Sequence, residues 1–595
     1  MTGYHGRGLA YCLSTRLGRA FSLSQDEAST WLGGTGLATY WLYAHSVAGL
    51  DPLGPENPLV LAASPLVDTG LTTTSRAAIA ARSPQTGLIG ESLISSHFAV
   101  ALRRSGWDGL VVTGACRELS VLVVDEERVE VLPAPELSGL PAAEAEASVR
   151  RRLGPDFQVA AIGIAGENRV RYATISHDGR HAGRTGLGAV MGARRLKAIA
   201  VRGSRRLRPA DEARLHEVAA ALRARSQGPE TAKYRLVGTS ANLLTFDRLG
   251  VLPTRNFQQA TFRGASRLTG EQLALERTRE RTGCAVCSIG CEHRFVTSGS
   301  SVRAEYESLF AFGPLLGIDD PDTVLRAIGL SDHFGMDSLS LGGTLAWAME
   351  TRERGVGGDW LAEDPPLCFG DGAAVLAWIP RIAGREGKAG ALLADGSRLA
   401  AARVGGGSEA WAMQVKGLEL PGYEPRALKT LALGLAVSAR GACHNRSSAY
   451  DRDFASGGDR LRADLPRGRD AAEAEDLAAV LDSLGLCKFL RRCFDDLYGE
   501  AAHIYELLTG RPTSSADLRA TGARIVTAKR RYNQREGAGR TEDTLPPRLL
   551  EEAVTGGPAA GACLTLPELD AMLDDYYRFR GWNPDGRIPD PDSAT

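Results

Sequence analysis

Charge imbalance is what this chain most lacks: 70 Lys and Arg stand against 71 Asp and Glu, a formal net charge of -1. Nothing global therefore draws it to a nucleic acid or a membrane, and partners have to be argued from local features. Met1 to Ala10 lacks the basic patch and apolar run of a secretory leader, so a cytoplasmic protein is expected. Ten cysteines in 595 residues are too sparse for a disulfide scaffold. In a reducing compartment, clustered cysteines read as metal ligands instead. No fixed-period repeat marks a solenoid.

What is present is ample apolar material, 43% of the residues, in a chain long enough for two to four domains. From about Met1 to Gly203, short β-branched runs such as Leu59-Val60-Leu61 and Val121-Leu122-Val123-Val124 alternate with Gly and Pro. Beyond Pro209, long Ala/Leu/Arg/Glu segments such as 211–225 and 470–484 carry helical spacing. The three consecutive glycines within 403–408 mark a flexible connection. The expected fold is α+β: a β-rich N-terminal domain over 1–205, then two mainly α-helical domains over 206–408 and 409–595.

Cys284-Ala-Val-Cys287-Ser-Ile-Gly-Cys291 is the sharpest local signal. Three thiolates from one loop need a fourth ligand, and four suit an iron–sulfur cluster or, less often with this triplet spacing, tetrahedral zinc. Spacing cannot choose the fourth among the other cysteines. An internal echo singles out Cys487: Asp332-His-Phe-Gly335-Met336-Asp337 and Asp482-Ser-Leu-Gly485-Leu486-Cys487 share a D-x-x-G-apolar-(D/C) pattern. Each carboxylate can accept a fork of two donors from a flat ring while Gly lets the backbone come close; the plainer alternative is that each Asp caps a helix or turn.

At this point the sequence resembles the tungstopterin aldehyde:ferredoxin oxidoreductases, from Gly33 almost to Pro589. Carriers include Gly33-Gly34-Thr35-Gly36, Ser83-Pro84-Gln85-Thr86-Gly87, the 183–192 segment beginning Gly183-Arg184-Thr185-Gly186, Glu305-Tyr306-Glu307, Arg440-Gly441-Ala442-Cys443-His444 and Gly485-Leu486-Cys487. The resemblance implies a β-rich base supporting a tungsten (or molybdenum) bis-pterin, closed over by two helical domains. It implies a [4Fe–4S] cluster on Cys284, Cys287, Cys291 and Cys487, pterin recognition by Asp332, Asp337, Asp482 and Leu486, and Arg76 between cluster and cofactor phosphate. Ala182, Gly183 and Arg184 match the turn that holds the pterin phosphates and a bridging magnesium, and Arg446 stands where the family has Lys.

The activity so implied is oxidation of a small aldehyde to a carboxylic acid. Glu307 would be the general base and His444 the hydrogen-bond donor to the substrate oxygen. With no second cysteine cluster, electrons would pass to ferredoxin or a dedicated iron–sulfur subunit. An interfacial iron found in some members is not expected, because Arg326 and Gly329 occupy its E-x-x-H positions; a homodimer or heteromer would form without it. Leu93-Ile94-Ser95-Ser96 also departs from the family's Asn followed by Gly-Gly near the phosphates. Two rivals stand beside this reading: a tungsten subunit reducing aromatic acyl-CoA thioesters, and a non-catalytic iron–sulfur or zinc-stabilised protein.

Overall fold

The computed structural model describes residues 1–455, 457–464 and 466–589. Its N-terminal part is a pair of six-stranded mixed sheets. The first runs in the order Leu17–Ser22, Arg7–Cys12, Gly109–Thr113, Leu59–Ala63, Arg76–Arg82, Ile89–Ser95, with Arg7–Cys12 parallel to Gly109–Thr113 and the other pairs antiparallel. The second runs Arg180–Ala182, Ile175–His177, Gln158–Ile162, Leu196–Arg202, Ser120–Asp125, Arg128–Pro133.

Strand periodicity explains how they stack. Leu59, Leu61, Ala77 and Ile79 point into a cluster shared with Leu122, Val124, Ile162 and Ile199 of the second sheet. Their neighbours Val60, Ala62, Ala78 and Ala80 point the other way, against the helix Gly34–His45 and C-terminal residues such as Leu484 and Ile504. Both faces are buried, so these strands read as continuous apolar runs. The outer face of the second sheet, Val121, Val123, Ala198 and Ala200, is covered by Ala142, Ala145 and Val149 of the helix Ala142–Leu153.

The rest is largely helical, as the periodicity predicts. Asp211 caps the helix Glu212–Arg225, and the second long segment folds as Arg467–Leu484. One apolar cluster runs from Ala165 to Trp582. The helical reading of this region missed two β elements: a short ribbon of Gln414–Val415 and Leu418–Glu419, and an antiparallel sheet of Arg279–Thr282, Glu292–Thr297 and Ser300–Arg303. The sheet's charged first strand, Arg-Glu-Arg-Thr, offers no apolar alternation by which to recognise it.

Small residues bring the distant parts together. Gly34 holds φ +41°, and a Cβ there would fall 2.4 Å from the Asp482 carbonyl oxygen and 2.6 Å from Ser64 Oγ. Only glycine lets the start of Gly34–His45 meet the end of Arg467–Leu484. We expect Gly34→Ala to cost about 1–3 kcal/mol through overpacking of this junction; thermal unfolding checks it, and an unchanged Tm would mean the junction yields freely.

Candidate functional site

The cysteine triplet lies on the nine-residue turn joining Arg279–Thr282 to Glu292–Thr297, in which Thr282 opposes Glu292. The first sheet holds that turn through hydroxyls. Ser75 Oγ donates to the Ala285 carbonyl at 2.8 Å, Ser96 Oγ accepts from the Ala285 amide at 3.3 Å, and Thr72 Oγ1 accepts from the Ser288 amide at 3.0 Å. Ser95 Oγ lies 3.7 Å from Cys284 Sγ. The Ser95-Ser96 departure from the family pattern therefore supports the cysteine turn.

Cys487 joins the triplet from the far end of the chain, its amide donating to the Thr73 carbonyl at 3.1 Å. Arg76 Nη2 donates to its sulfur at 2.9 Å. Burial opposes the charge on Arg76, but Cys487, Cys284, Asp482 and Cys291 more than offset it and raise its pKa. Burial, with Cys487 adding to it, raises the pKa of the Cys287 and Cys291 thiols. Among the described residues no three of these sulfurs lie within 4.8 Å of one another. Tetrahedral zinc with bonds of about 2.3 Å needs tighter spacing; a polynuclear group does not.

The two D-x-x-G copies fold alike. Asp332 lies in the last turn of Pro321–Phe334, Asp482 in that of Arg467–Leu484, and each helix ends on a left-handed glycine, Gly335 at φ +79° and Gly485 at φ +84°. A carboxylate in a last turn opposes the helix dipole, so propensity does not account for it. Asp337 does cap a helix, its Oδ2 accepting from the Ser340 amide at 3.1 Å. The capping alternative is thus realised for Asp337 and not for the other two. Asp332 faces His181 Nε2 at 3.4 Å. Asp482 is fully buried, paired with Arg446 Nη1 at 2.6 Å, and its Oδ1 has no protein partner.

Behind it lies a dense charge cluster. Glu91, buried on the strand Ile89–Ser95, binds Arg446 Nε at 2.8 Å and Lys529 Nζ at 2.6 Å. Burial alone would raise its pKa; the charges of Lys529, Arg446 and Arg440 bring it down to about 2. Lys488, buried and 3.9 Å from Asp482, has no hydrogen-bond partner on Nζ, and burial lowers its pKa to about 8.

Glu307, in the first turn of Tyr306–Phe312, meets His444 at the start of His444–Ser447: Oε1 lies 3.3 Å from Nδ1. The other oxygen, Oε2, accepts from the Gly422 amide at 3.0 Å. Desolvation raises the Glu307 pKa to about 8, and desolvation with Arg184 and Lys488 pushes His444 well below its ordinary value. Both groups are therefore neutral near pH 7. Aromatic rings wall the pair, with Tyr423 5.1 Å and Tyr450 6.1 Å from the His444 ring, and Phe246 and Tyr306 behind Tyr423.

Arg184 reaches this chamber too, donating to the carbonyls of Ala442 and Glu419, both at 2.5 Å, with Asp337 at 3.4 Å. Ala182 is buried between the sheets, so it offers only backbone. Around Gly183 a Cβ would find nothing closer than 3.8 Å, which leaves open space beside Asp337. Leu486 is buried next to Cys487.

Sequence reading missed Glu91, Lys488 and Lys529, and gave Cys443 no role beyond its place in the Arg440–His444 motif. Burial raises the Cys443 thiol pKa, but Arg440, Arg446 and Arg184 bring it down to about 7. Glu91 had a signal, a carboxylate in the otherwise uncharged run Leu88-Ile89-Gly90-Glu91-Ser92-Leu93-Ile94. Glu146, His177 and Asp178 also converge. They are bound up internally: the Phe98 amide donates to His177 Nε2 at 3.0 Å and Nδ1 meets the Val159 carbonyl at 2.8 Å, leaving no ring nitrogen for a metal. No helix among the described residues is long and apolar enough to cross a membrane.

Comparison with known proteins bears on the whole chain. The aldehyde ferredoxin oxidoreductase N-terminal domain profile matches residues 13–203, and that for the family's domains 2 and 3 matches 217–593. Tungsten-containing aldehyde ferredoxin oxidoreductases of Pyrococcus abyssi and Pyrococcus furiosus are each 36% identical over 99% of this chain and 98% of their own length. The WOR-like subunit of an aliphatic sulfonate oxidoreductase from Pyrococcus furiosus is 26% identical over 98% of this chain and 96% of its own. The solved active-site complex BamBC of benzoyl coenzyme A reductase shares the fold: TM-score 0.84 and 22% identity, covering 98% of this chain and 96% of that one.

The buried charge cluster yields a stability test. A carboxylate whose pKa is lower folded than unfolded stabilises fully above about 4.5, its ordinary value, and less as pH falls toward 2. We expect Glu91→Gln to cost about 3–5 kcal/mol at pH 7, because Arg446 and Lys529 lose their countercharge. It should also flatten the loss of stability with acid between those limits. Denaturant unfolding across pH measures both; an unperturbed variant would show that the cations find other partners.

Proposed function

The chain belongs to the aldehyde ferredoxin oxidoreductase family of tungsten enzymes, and we propose that it oxidises aldehydes to carboxylic acids, passing the electrons to a ferredoxin-type carrier. The observation that carries this reading is the Glu307–His444 pair, 3.3 Å apart in a buried aromatic chamber.

The residues fit the family's metal groups by their own chemistry. Buried Asp482 Oδ1 and Lys488 Nζ lack hydrogen-bond partners in the protein, an open acceptor and an open donor suited to a ring fork and an anion. Asp332, Asp337, Asp482 and the backbone at Leu486 would hold the two pterins. Arg76, Arg446 and the turn Ala182-Gly183-Arg184 would meet the phosphates and their magnesium. Cys284, Cys287, Cys291 and Cys487 would hold the [4Fe–4S] cluster. When bound, the tungsten (or molybdenum) centre accepts two electrons and the cluster releases them singly.

The chain's own part is proton handling and orientation. Glu307 Oε1 and His444 Nδ1 lie 3.3 Å apart, yet neither has a hydrogen-bond partner within the protein, so each is free to turn to a substrate oxygen or an attacking water. As pH rises toward 8, Glu307 loses its proton and becomes the base that accepts one from the attacking water or hydrated aldehyde. The aromatic walls exclude bulk water and favour an apolar substrate over a charged one. The acyl-CoA reductase alternative rests on likeness of fold alone. A purely electron-carrying protein would need the cysteines but not Glu307, His444 or the Asp set.

Anaerobically purified protein should contain about four iron and one tungsten or molybdenum per chain, with brown colour; zinc alone from a metal-replete host would sink the reading. With a viologen acceptor, kcat/KM for aldehydes should rise with pH to a limb near or above 8. Glu307→Gln should keep metal and cluster, lose that limb and fall at least about a hundredfold in activity. Full turnover by the metal-replete variant would remove Glu307 from the chemistry.

A further inference from the structure

Strand alternation gives the cysteine hairpin two different faces. Glu280, Thr282, Glu292 and Arg294 lie on one, while Arg279 and Arg281, opposite Phe295 and His293, lie on the other. On that second face runs the segment 233–238: Arg281 donates to the Arg235 carbonyl, Arg279 to that of Leu236, and His293 Nε2 meets that of Tyr234. The same segment touches the turn itself, since a Cβ on Gly238 would lie 3.1 Å from the Cys291 carbonyl. Tyr234 stacks on Phe489, ring centres 4.1 Å apart, which brings in the stretch Lys488–Cys493 that follows Cys487.

Five cations collect here, namely Lys233, Arg235, Arg279, Arg281 and Arg492. Among the described residues none has a carboxylate at ion-pair distance; the contacts of Lys233, Arg235, Arg279 and Arg281 are with Asn242, Thr231, the Tyr234 ring and backbone carbonyls. Elsewhere most arginines of this chain are paired. The hairpin's own carboxylates, Glu280 and Glu292, sit on the opposite face; nearby acids are Glu230, just before the segment, and Asp451, which pairs with Arg491 and offsets part of the crowding at Lys233. Crowding is visible in Lys233, whose pKa is lowered by burial and then by the charges of Arg492 and Arg491.

Two large apolar side chains stand out nearby, Leu236 at 63% exposure and Val286 at 45%. Val286 lies between Cys284 and Cys287 with φ +60°. A β-branched residue held in the left-handed region costs on the order of 1–3 kcal/mol, and such strain concentrates at functional surfaces. A loop selected for stability alone would place glycine there.

We propose that this rim is the docking surface for the electron acceptor, an acidic iron–sulfur carrier of the ferredoxin class, whose carboxylates meet the five cations around an apolar contact on Val286 and Leu236. The inference rests on reading the cysteine turn as the iron–sulfur site. It adds where the carrier binds and why: charge complementarity steers the encounter, and a thin apolar contact lets the partner leave quickly. For each aldehyde converted with one water to the acid, two electrons and two protons are released, so two one-electron carriers must dock and leave in turn. A transient, salt-sensitive contact suits that traffic better than a large apolar one.

The test uses the metal-replete holoenzyme, an acidic single-cluster [4Fe–4S] ferredoxin as probe, and the exposed-residue variant Arg279→Glu/Arg281→Glu/Arg492→Glu. By calorimetric titration, wild-type affinity should fall with added salt. The variant should bind at least about tenfold more weakly, with a flatter salt dependence. Its KM for ferredoxin should rise in step, while aldehyde-dependent reduction of a small viologen stays at the wild-type rate and the brown absorbance is kept. Val286→Asp should weaken binding without altering viologen reduction. Unchanged binding by the triple variant, or no salt-sensitive binding by the wild type, overturns the proposal. Loss of viologen reduction with aldehydes in the wild type would instead overturn the functional reading and leave the binding measurement standing.

Discussion

Glu91 is a carboxylate on a β-strand whose countercharges all come from the far end of the chain. Arg446 bridges it to Asp482, and Lys529 reaches it from a third element. A buried ion is tolerated only when paired and hydrogen-bonded, so this network fixes the register between the N-terminal sheet and the C-terminal helices. Cys487, Gly485 and Asp482 sit at one helix end, and that end is held against the sheet by Arg446 and by the glycine contact at Gly34. The relation of the fourth cysteine to the other three depends on the same junction.

The chain tunes two buried carboxylates in opposite directions. Three cations around Glu91 overcome desolvation and keep it ionised; Glu307, facing neutral His444 and a backbone amide, is left to desolvation and becomes neutral. The first serves position, and the second is the group proposed for proton transfer. Both follow from how many cations lie nearby once water is excluded. Arg440 spans the two zones, since it lies close enough both to lower Glu91 and to depress His444.

Identity of 36% across nearly the full length of tungsten-containing aldehyde ferredoxin oxidoreductases assigns the family and the class of chemistry. The same architecture also serves relatives named for sulfonates and, at the level of fold, for benzoyl coenzyme A. A shared scaffold does not set the substrate, which on the proposed reading would be chosen by side chains around the reacting centre. Here those are the rings of Tyr423, Tyr450 and Tyr306 beside Glu307 and His444.

How much could be read beforehand follows from the range of each signal. Alternation and helical spacing are local, so the β-rich start and the helical remainder were legible, as was the cysteine triplet. The charged hairpin strand was not, because Arg279–Thr282 is stabilised by pairing with Glu292–Thr297 rather than by an apolar pattern. The Asp482 echo was visible, but its pairing with Arg446 was not; neither was the convergence of Lys529 on Glu91, 438 positions away. Sequence by itself marked the cysteine triplet as a metal-ligand candidate, a property of residue type and short spacing, while the acid–base pair was proposed through resemblance to the family. Only the tertiary structure decided which carboxylate is charged and which is neutral, because protonation depends on burial and on cations brought in from distant parts of the chain.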